Sequence, residues 1–396
     1  MDSNYTLRNL GYNHTQIEVL KKIYLQPGIT RKELSEQTGI SGRSIIKFVS
    51  EFLENGIVIN FETILKTGGR NATGLAINPD FLFVLAVDIG SYSTKIGVVN
   101  LHGKVIADDF IYTRNVSLQS LKEQLTLYLN KFGKERFAGI GIGITGLIDH
   151  SNKFIRFSPN IPLFNNIDIV KEFEQPFGLP VCLDTSARCL SLAEQKYGYG
   201  KDVKNQIFVS VGRSISAGII INNRLFNGSN GVSGEIGHIC CENKKLRCTC
   251  GNYDCLELYS TLPMIVGTTA NAVFNFQGYS PTAKLVNDKE DFSWRHVIKG
   301  FELKDKIVTE CIEKAGNRLG YVLSSLVNTL NPELLVFGGS VTELLPPVID
   351  QAIKTINELS LITAIQNLTV KKSELGNKAA IIGSAIQVMN KFFGVE

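Results

Sequence analysis

From Leu82 to the C-terminus, short strands rich in Val, Ile and Gly alternate with helical segments. That alternation confines the chain to an α/β architecture in which strands and helices pack in layers. The pattern opens twice in the same way. Phe81–Ile89 with Thr94–Asn100 reads as one β-hairpin, and Gln206–Gly212 with Ala217–Asn223 as a second. Two similarly built halves imply an internal duplication with a cleft between two lobes. The stretch from Asn287 to Asp305 is polar and reads as surface.

Before Leu82 the texture differs. Ile17, Leu20, Ile23 and Tyr24 recur at the spacing of one helical face, and Pro27-Gly28 stops that helix. Thr30 followed by Glu33 has the pattern of a capping box and opens a second helix through Thr38. Gly39 and Ile40 turn the chain. Ser41 then caps a third helix to about Asn55, with Ile45, Phe48, Val49 and Phe52 toward its core. Strands at Ile57–Ile59 and Gly74–Asn78 flank a polar loop around Gly68-Gly69-Arg70. Three helices and a hairpin make a winged helix-turn-helix. The expected domains are residues 1–79 for this head and 80–396 for the two-lobed body.

A chain of 396 residues exceeds one ordinary core, and 44% hydrophobic with 20% charged residues suits a soluble protein. A net charge of +4 excludes a wholly basic coat but leaves room for one local nucleic-acid surface. No run approaches the roughly 18 apolar residues of a membrane helix, and the N-terminus lacks a basic start followed by an apolar stretch. A cytoplasmic protein without a membrane partner is expected.

In a helix-turn-helix the third helix enters the major groove and its early residues reach base edges. Here these are Ser41, Gly42, Arg43, Ser44 and Lys47. Arg43 can bond two guanine acceptors, and Lys47 can reach a base or a phosphate. Arg70 in the wing can enter a narrow minor groove. The competing reading, a small bundle for protein contacts, fits the mild charge. The order of helix, capped helix, glycine turn, helix and wing favours DNA.

Five cysteines (Cys240, Cys241, Cys248, Cys250 and Cys255) crowd one short segment. With His238, the thiolates of Cys248, Cys250 and Cys255 suit four-coordinate structural zinc in a knuckle spanning 238–255, with no open position for catalysis. Gly251 supplies the flexible turn. Cys240 and Cys241 are alternative ligands of poorer spacing. The alternative is a set of buried free thiols, the reading for Cys182, Cys189 and Cys311.

Gly234-Glu235-Ile236-Gly237-His238, the three cysteines and Leu256-Glu257 together resemble the signature of the ROK family of repressors, open reading frames and kinases. Asp88-Ile89-Gly90 resembles the family's first phosphate loop. Gly141 through Gly146 resembles its glycine-rich strand end, Ser158 through Pro162 its sugar-proximal loop, and Asn331-Pro332-Glu333 through Gly339 the stretch leading to its nucleotide site. The head ending in Asn78-Pro79 is similar to the start of the xylose and N-acetylglucosamine repressor branch. The resemblance implies an actin-like, ribonuclease H-like, sugar-kinase body. It assigns Glu235, His238 and Glu257 to a sugar, with Asn160 and Ser186 nearby. It also implies that His238 would bind metal through one nitrogen and face the sugar with the other. Glu235 and Glu257 could equally be structural carboxylates beside the metal.

The chain departs from the family's kinases at three points. Their base is the Asp of an Asn-Asp-Ala-Asn stretch; the corresponding residues are Thr185-Ser186-Ala187-Arg188, so Ser186 stands at the base position. A serine hydroxyl does not ionise near neutral pH and cannot act as that base unaided. The first phosphate loop reads Asp88-Ile89-Gly90-Ser91-Tyr92 and the second Gly212-Arg213-Ser214, with side chains where the kinases keep glycines. The expectation is a non-enzymatic regulator, a homodimer or dimer of dimers. It would grip a palindromic double-stranded operator under control of a sugar effector. The alternatives are an active ATP-dependent hexose kinase with a DNA-binding appendage, and a ligand-free dimerisation module.

Overall fold

The computed structural model describes residues 7–62, 73–149, 154–158 and 161–395. The head opens with helix α1, His14–Leu25, started by a capping box between Asn13 and Gln16. Helix α2, Arg31–Thr38, begins with the expected box between Thr30 and Glu33. In helix α3, Gly42–Glu54, the Ser41 side chain accepts from the Ser44 amide. Each cap satisfies amides that the first helical turn leaves unpaired. Strand β1, Val58–Glu62, pairs antiparallel with β2, Thr73–Ile77, in the register Val58 to Ile77. Val19, Leu20, Ile23, Leu34, Ile45, Val49 and Phe52 are fully buried between the helices. Gly68-Gly69-Arg70, the expected wing tip, lies outside the described residues.

The chain forms two compact units, Met1–Cys189 with Lys378–Glu396, and Leu190–Asn377. In the first, strands β3 (Phe83–Ile89), β4 (Ser93–Asn100) and β5 (Val105–Tyr112) run as an antiparallel meander. Helix α4, Leu118–Phe132, leads to β6, Phe137–Ile144; a small hairpin follows, β7 (Leu147–Asp149) with β8 (Phe154–Phe157). Helix α5, Ile169–Phe177, leads to β9, Val181–Thr185, and helix α6, Ser186–Tyr197, starts without a break. The sheet order is β5-β4-β3-β6-β9, with β3, β6 and β9 parallel.

The second unit repeats the plan. Strands β10 (Gln206–Val211), β11 (Ile215–Ile221) and β12 (Arg224–Leu225) are antiparallel. Helices α7 (Glu257–Ser260), α8 (Leu262–Asn275), α9 (Trp294–Glu302) and α10 (Lys306–Leu330) precede β13, Leu334–Gly338. Helices α11 (Ser340–Leu344), α12 (Pro346–Leu359) and α13 (Ile362–Ile365) precede β14, Thr369–Lys372. The order β12-β11-β10-β13-β14 matches the first sheet strand for strand, as duplication requires. One expectation fails. Asn287 to Asp305 is not simply surface, because Val297 is fully buried, Phe292 is 8% exposed and Asp305 3%. Trp294, Val297, Ile298 and Phe301 fall on one face of α9 and, with Phe292 just before it, pack into the core of the second unit.

The last helix, α14, Ala379–Phe393, returns to the first unit. It lies so close to β6 that a Cβ on Gly141 would sit 2.1 Å from the Ser384 carbonyl oxygen. Its far end belongs to the core of the head: Phe392, Phe393, Met389 and Val388 share one buried cluster with Leu20, Ile23, Tyr24 and Ile77. The head is thus continuous in packing with the first sheet. Tyr24 donates its hydroxyl to Asn390 Oδ1 at 3.0 Å.

Candidate functional site

Three groups of side chains stand out, and the first is the cysteine segment. The donor atoms of His238, Cys248, Cys250 and Cys255 all lie within 4.8 Å of one another. Cys250 Sγ is 3.7 Å from Cys255 Sγ, and Cys248 Sγ is 3.8 Å from His238 Nδ1. Four tetrahedral ligands with metal–sulfur bonds of about 2.3 Å would hold their sulfurs about 3.8 Å apart, so the cluster fits a four-coordinate metal such as zinc. Cys240 and Cys241 fall outside it; their thiols face the carbonyls of Glu242 and Asp254.

Asp254 gives the loop its shape, and the sequence reading missed it. Its carboxylate accepts from the amides of Lys244, Lys245 and Leu246 at 2.9, 2.8 and 3.1 Å, and from the Tyr259 hydroxyl at 2.6 Å. Burial opposes the charge, but these four donors hold the carboxyl below its ordinary range. Only its place next to Cys255 in the sequence hints at this work.

His238 ends a single helical turn, Ile236–His238, that lies against β11. The Ala217 amide donates to the Gly234 carbonyl at 2.7 Å, and a Cβ on Gly234 would sit 2.0 Å from the Ala217 carbonyl oxygen. Only glycine permits that approach. Glu235 follows, half-buried. Glu257, at the start of α7, accepts the Ile215 amide at 2.7 Å. Burial raises its carboxyl above the ordinary range, opposed by that amide and by His238. Glu235, His238 and Glu257 therefore gather at one end of β11. One oxygen of Glu257 already serves the backbone.

The second group lies in the first unit around Ser186. Ser186 donates its hydroxyl to Asp88 Oδ1 at 2.6 Å. Asp88 is 7% exposed, and burial raises its carboxyl above the ordinary value, against the pull of Ser186 and Lys95. Asp184 is bound to Arg188 in a buried ion pair of 2.6 Å. Asp184 is thus engaged with a cation, and Ser186, at the base position, acts as a donor. Cys189, buried and with its thiol pushed well up by that burial, accepts from Gln387 Nε2 at 2.8 Å. Asn160 lies outside the described residues, and Ser186 belongs to a different unit from Glu235, His238 and Glu257.

The third group is the outer face of α3. Arg43 and Lys47 are exposed. Ser44 is half-buried, with its hydroxyl 2.9 Å from that of Ser41. Ile46, which the sequence reading passed over, is 57% exposed between them. Its position off the Ile45–Val49–Phe52 stripe was the available signal.

A winged helix packed onto the first unit of a duplicated α/β body, with a Cys–His cluster able to hold a metal, defines a class: a DNA-binding transcriptional regulator with a sugar-kinase-like domain. Residues 12–59 match winged helix-turn-helix DNA-binding and residues 84–391 match the ROK family. The chain belongs to the ROK family. It is 29% identical over 362 residues to the DNA-binding transcriptional dual regulator NagC of Escherichia coli, covering 89% of this chain and 87% of that protein. It is 25% identical over 380 residues to the xylose repressor of Bacillus subtilis, covering 94% of each. A crystal structure of a ROK family transcriptional regulator, a homolog of the E. coli MLC protein, matches with a TM-score of 0.81 at 25% identity, over 96% of this chain and 97% of that one. A ROK family glucokinase from Streptomyces griseus shares the fold, with a TM-score of 0.66 at 23% identity over 77% of this chain and 98% of that one. The regulators match along nearly the whole chain, head included, and this chain is a regulator rather than a kinase.

Proposed function

We propose that this chain represses transcription by gripping an operator, and that a monosaccharide or sugar derivative bound to the body sets the strength of that grip without phosphoryl transfer. The reading rests above all on α14. Near its start, Gly383 packs against the Cys189 carbonyl and Gln387 donates to the Cys189 thiol, three residues beyond Ser186 on α6. At its end, Phe393 stacks on Tyr24 of the head. One rigid helix therefore touches both the helix that begins at Ser186 and the DNA-reading unit.

Residues 1–79 form the DNA-reading domain and 80–396 the effector domain in this reading. Arg43, Ser44 and Lys47 meet the major groove, and Arg70 the minor groove. Glu235, His238 and Glu257 are the candidate contacts to sugar hydroxyls, with Asn160 and Ser186 as further candidates. Carboxylates accept from hydroxyl pairs and an imidazole fixes a third. The names of the relatives point to N-acetylglucosamine and xylose as the class of effector.

Zinc is the metal best suited to three thiolates and one imidazole, and its chemistry here is structural cross-linking. With Nδ1 facing Cys248, the His238 ring has Nε2 left for a ligand. Two heads are needed for a palindromic site, so the working form is a homodimer or a dimer of dimers in the cytoplasm. Among the described residues no helix is long and apolar enough to cross a membrane.

A thermal-shift screen of metal-loaded full-length protein tests the effector. A rise in melting temperature with one sugar supports the reading. Calorimetry without binding for any monosaccharide or sugar phosphate would make the body a ligand-free dimerisation module.

A further inference from the structure

Two residues on α3 have no internal explanation. Ile46 leaves 57% of its surface in water, although α3 buries Ile45, Val49 and Phe52 on its other side. Gly42 sits in the first helical turn, where a Cβ would meet no atom within 4 Å and where its φ is not positive. Neither packing nor backbone conformation requires glycine there, and glycine costs a helix stability.

The two fall together on the helix. At about 100° per residue, Gly42 and Ile46 stand about 40° apart one turn from each other, and Arg43 about 60° from Ile46. Ser50, also exposed, continues the same stripe. The outward face thus carries a cationic side chain, an apolar side chain and a bare backbone patch as neighbours on the helix surface.

We propose that Ile46 reads a thymine methyl group in the major groove, beside the base that Arg43 contacts, and that Gly42 lets the helix come close enough for it to do so. The C5-methyl of thymine is the one apolar group that a base pair presents in that groove. A large exposed aliphatic side chain beside an arginine matches it. Glycine is favoured where backbone must approach a ligand closely. The inference rests on the reading of α3 as the recognition helix.

The test uses a duplex selected from a randomised pool by the full-length protein, with each thymine replaced in turn by deoxyuridine, which lacks only the methyl. One thymine per half-site is expected at which the change weakens binding about fourfold, the loss for one buried methyl-sized group. Ile46→Ala should bind the two duplexes equally. Gly42→Ala should weaken binding while melting at the same temperature or higher. Tight binding with deoxyuridine tolerated everywhere, or an equal penalty in Ile46→Ala, would overturn the assignment of Ile46 alone. Failure to select any duplex would overturn the DNA-reading role of α3 and this inference with it.

Discussion

The ring of Tyr24 lies stacked on the ring of Phe393, with centroids 4.4 Å apart and planes inclined by 14°. Tyr24 is 4% exposed and Phe393 fully buried, so the contact between the head and the last helix is core packing and not a surface touch. Removing a buried aromatic side chain leaves a cavity that the neighbours fill only in part. Phe393→Ala is expected to cost about 3–5 kcal/mol of stability, and to expose α1 to proteolysis before the body unfolds. Tyr24→Phe, which removes the hydroxyl bond to Asn390, is expected to cost about 1 kcal/mol. Urea denaturation followed by limited proteolysis checks both.

The cysteine knot makes a stoichiometric prediction. Purified protein should hold one zinc per chain, and alanine at His238, Cys248, Cys250 or Cys255 should lose it. Cys240→Ala and Cys241→Ala should keep it, because neither thiol belongs to the cluster. Atomic absorption on the purified variants decides this. Since the ligands must be deprotonated to bind, metal should be released as pH falls.

Asp88 should leave a mark on the pH profile of stability. Burial raises its carboxyl above the ordinary 3.8 in the folded protein. The folded state therefore prefers the protonated form. Its contribution is fully present below the unfolded pKa and is lost as pH rises through the folded one. Asp88→Asn keeps an acceptor for Ser186 and removes the charge. It should be more stable than the parent at neutral pH, and the advantage should shrink to nothing below about pH 4. Paired urea titrations from pH 3 to 8 measure the difference.

Ser186→Asp should not create a kinase. The new carboxylate would stand against Asp88, which already resists ionisation, and both loops that would cradle phosphates still carry Ser91, Tyr92, Arg213 and Ser214. The expected outcome is a less stable protein at neutral pH with no sugar-dependent release of ADP in a coupled assay.

On α3 the two cations should separate by behaviour. Arg43→Ala should cost about 1–3 kcal/mol and relax the preference at one base pair. Lys47→Ala, if it meets phosphate, should weaken all duplexes alike and reduce the slope of affinity against salt by about one. Anisotropy titrations at several salt concentrations distinguish them.

Much of this was legible from local signals. Thr30 with Glu33, Ser41 at its cap, and the β-hairpin opening each half are patterns that a few consecutive residues impose. The Cys–His cluster was legible because its four donors fall within a short segment. What escaped depends on distant partners. Nothing near Tyr24 announces a partner more than 360 residues away in the chain. Asp254 looked like one more polar residue until four donors converged on it. The Asn287–Asp305 stretch hid its buried face because few apolar residues suffice on a short helix. The roles of Glu235 and Glu257 stood open between ligand and scaffold, and the Ile215 amide on Glu257 shows that part of the answer is scaffold.

The affinity of full-length, metal-loaded protein for its selected duplex, titrated with a panel of monosaccharides and their phosphates at fixed salt and with ATP present, tests the central claim most directly. At least one sugar should shift that affinity by about 5–150-fold, the range of ordinary allosteric coupling, while ATP stays intact. Affinity indifferent to every sugar, or ATP consumed in step with sugar phosphorylated, would contradict it.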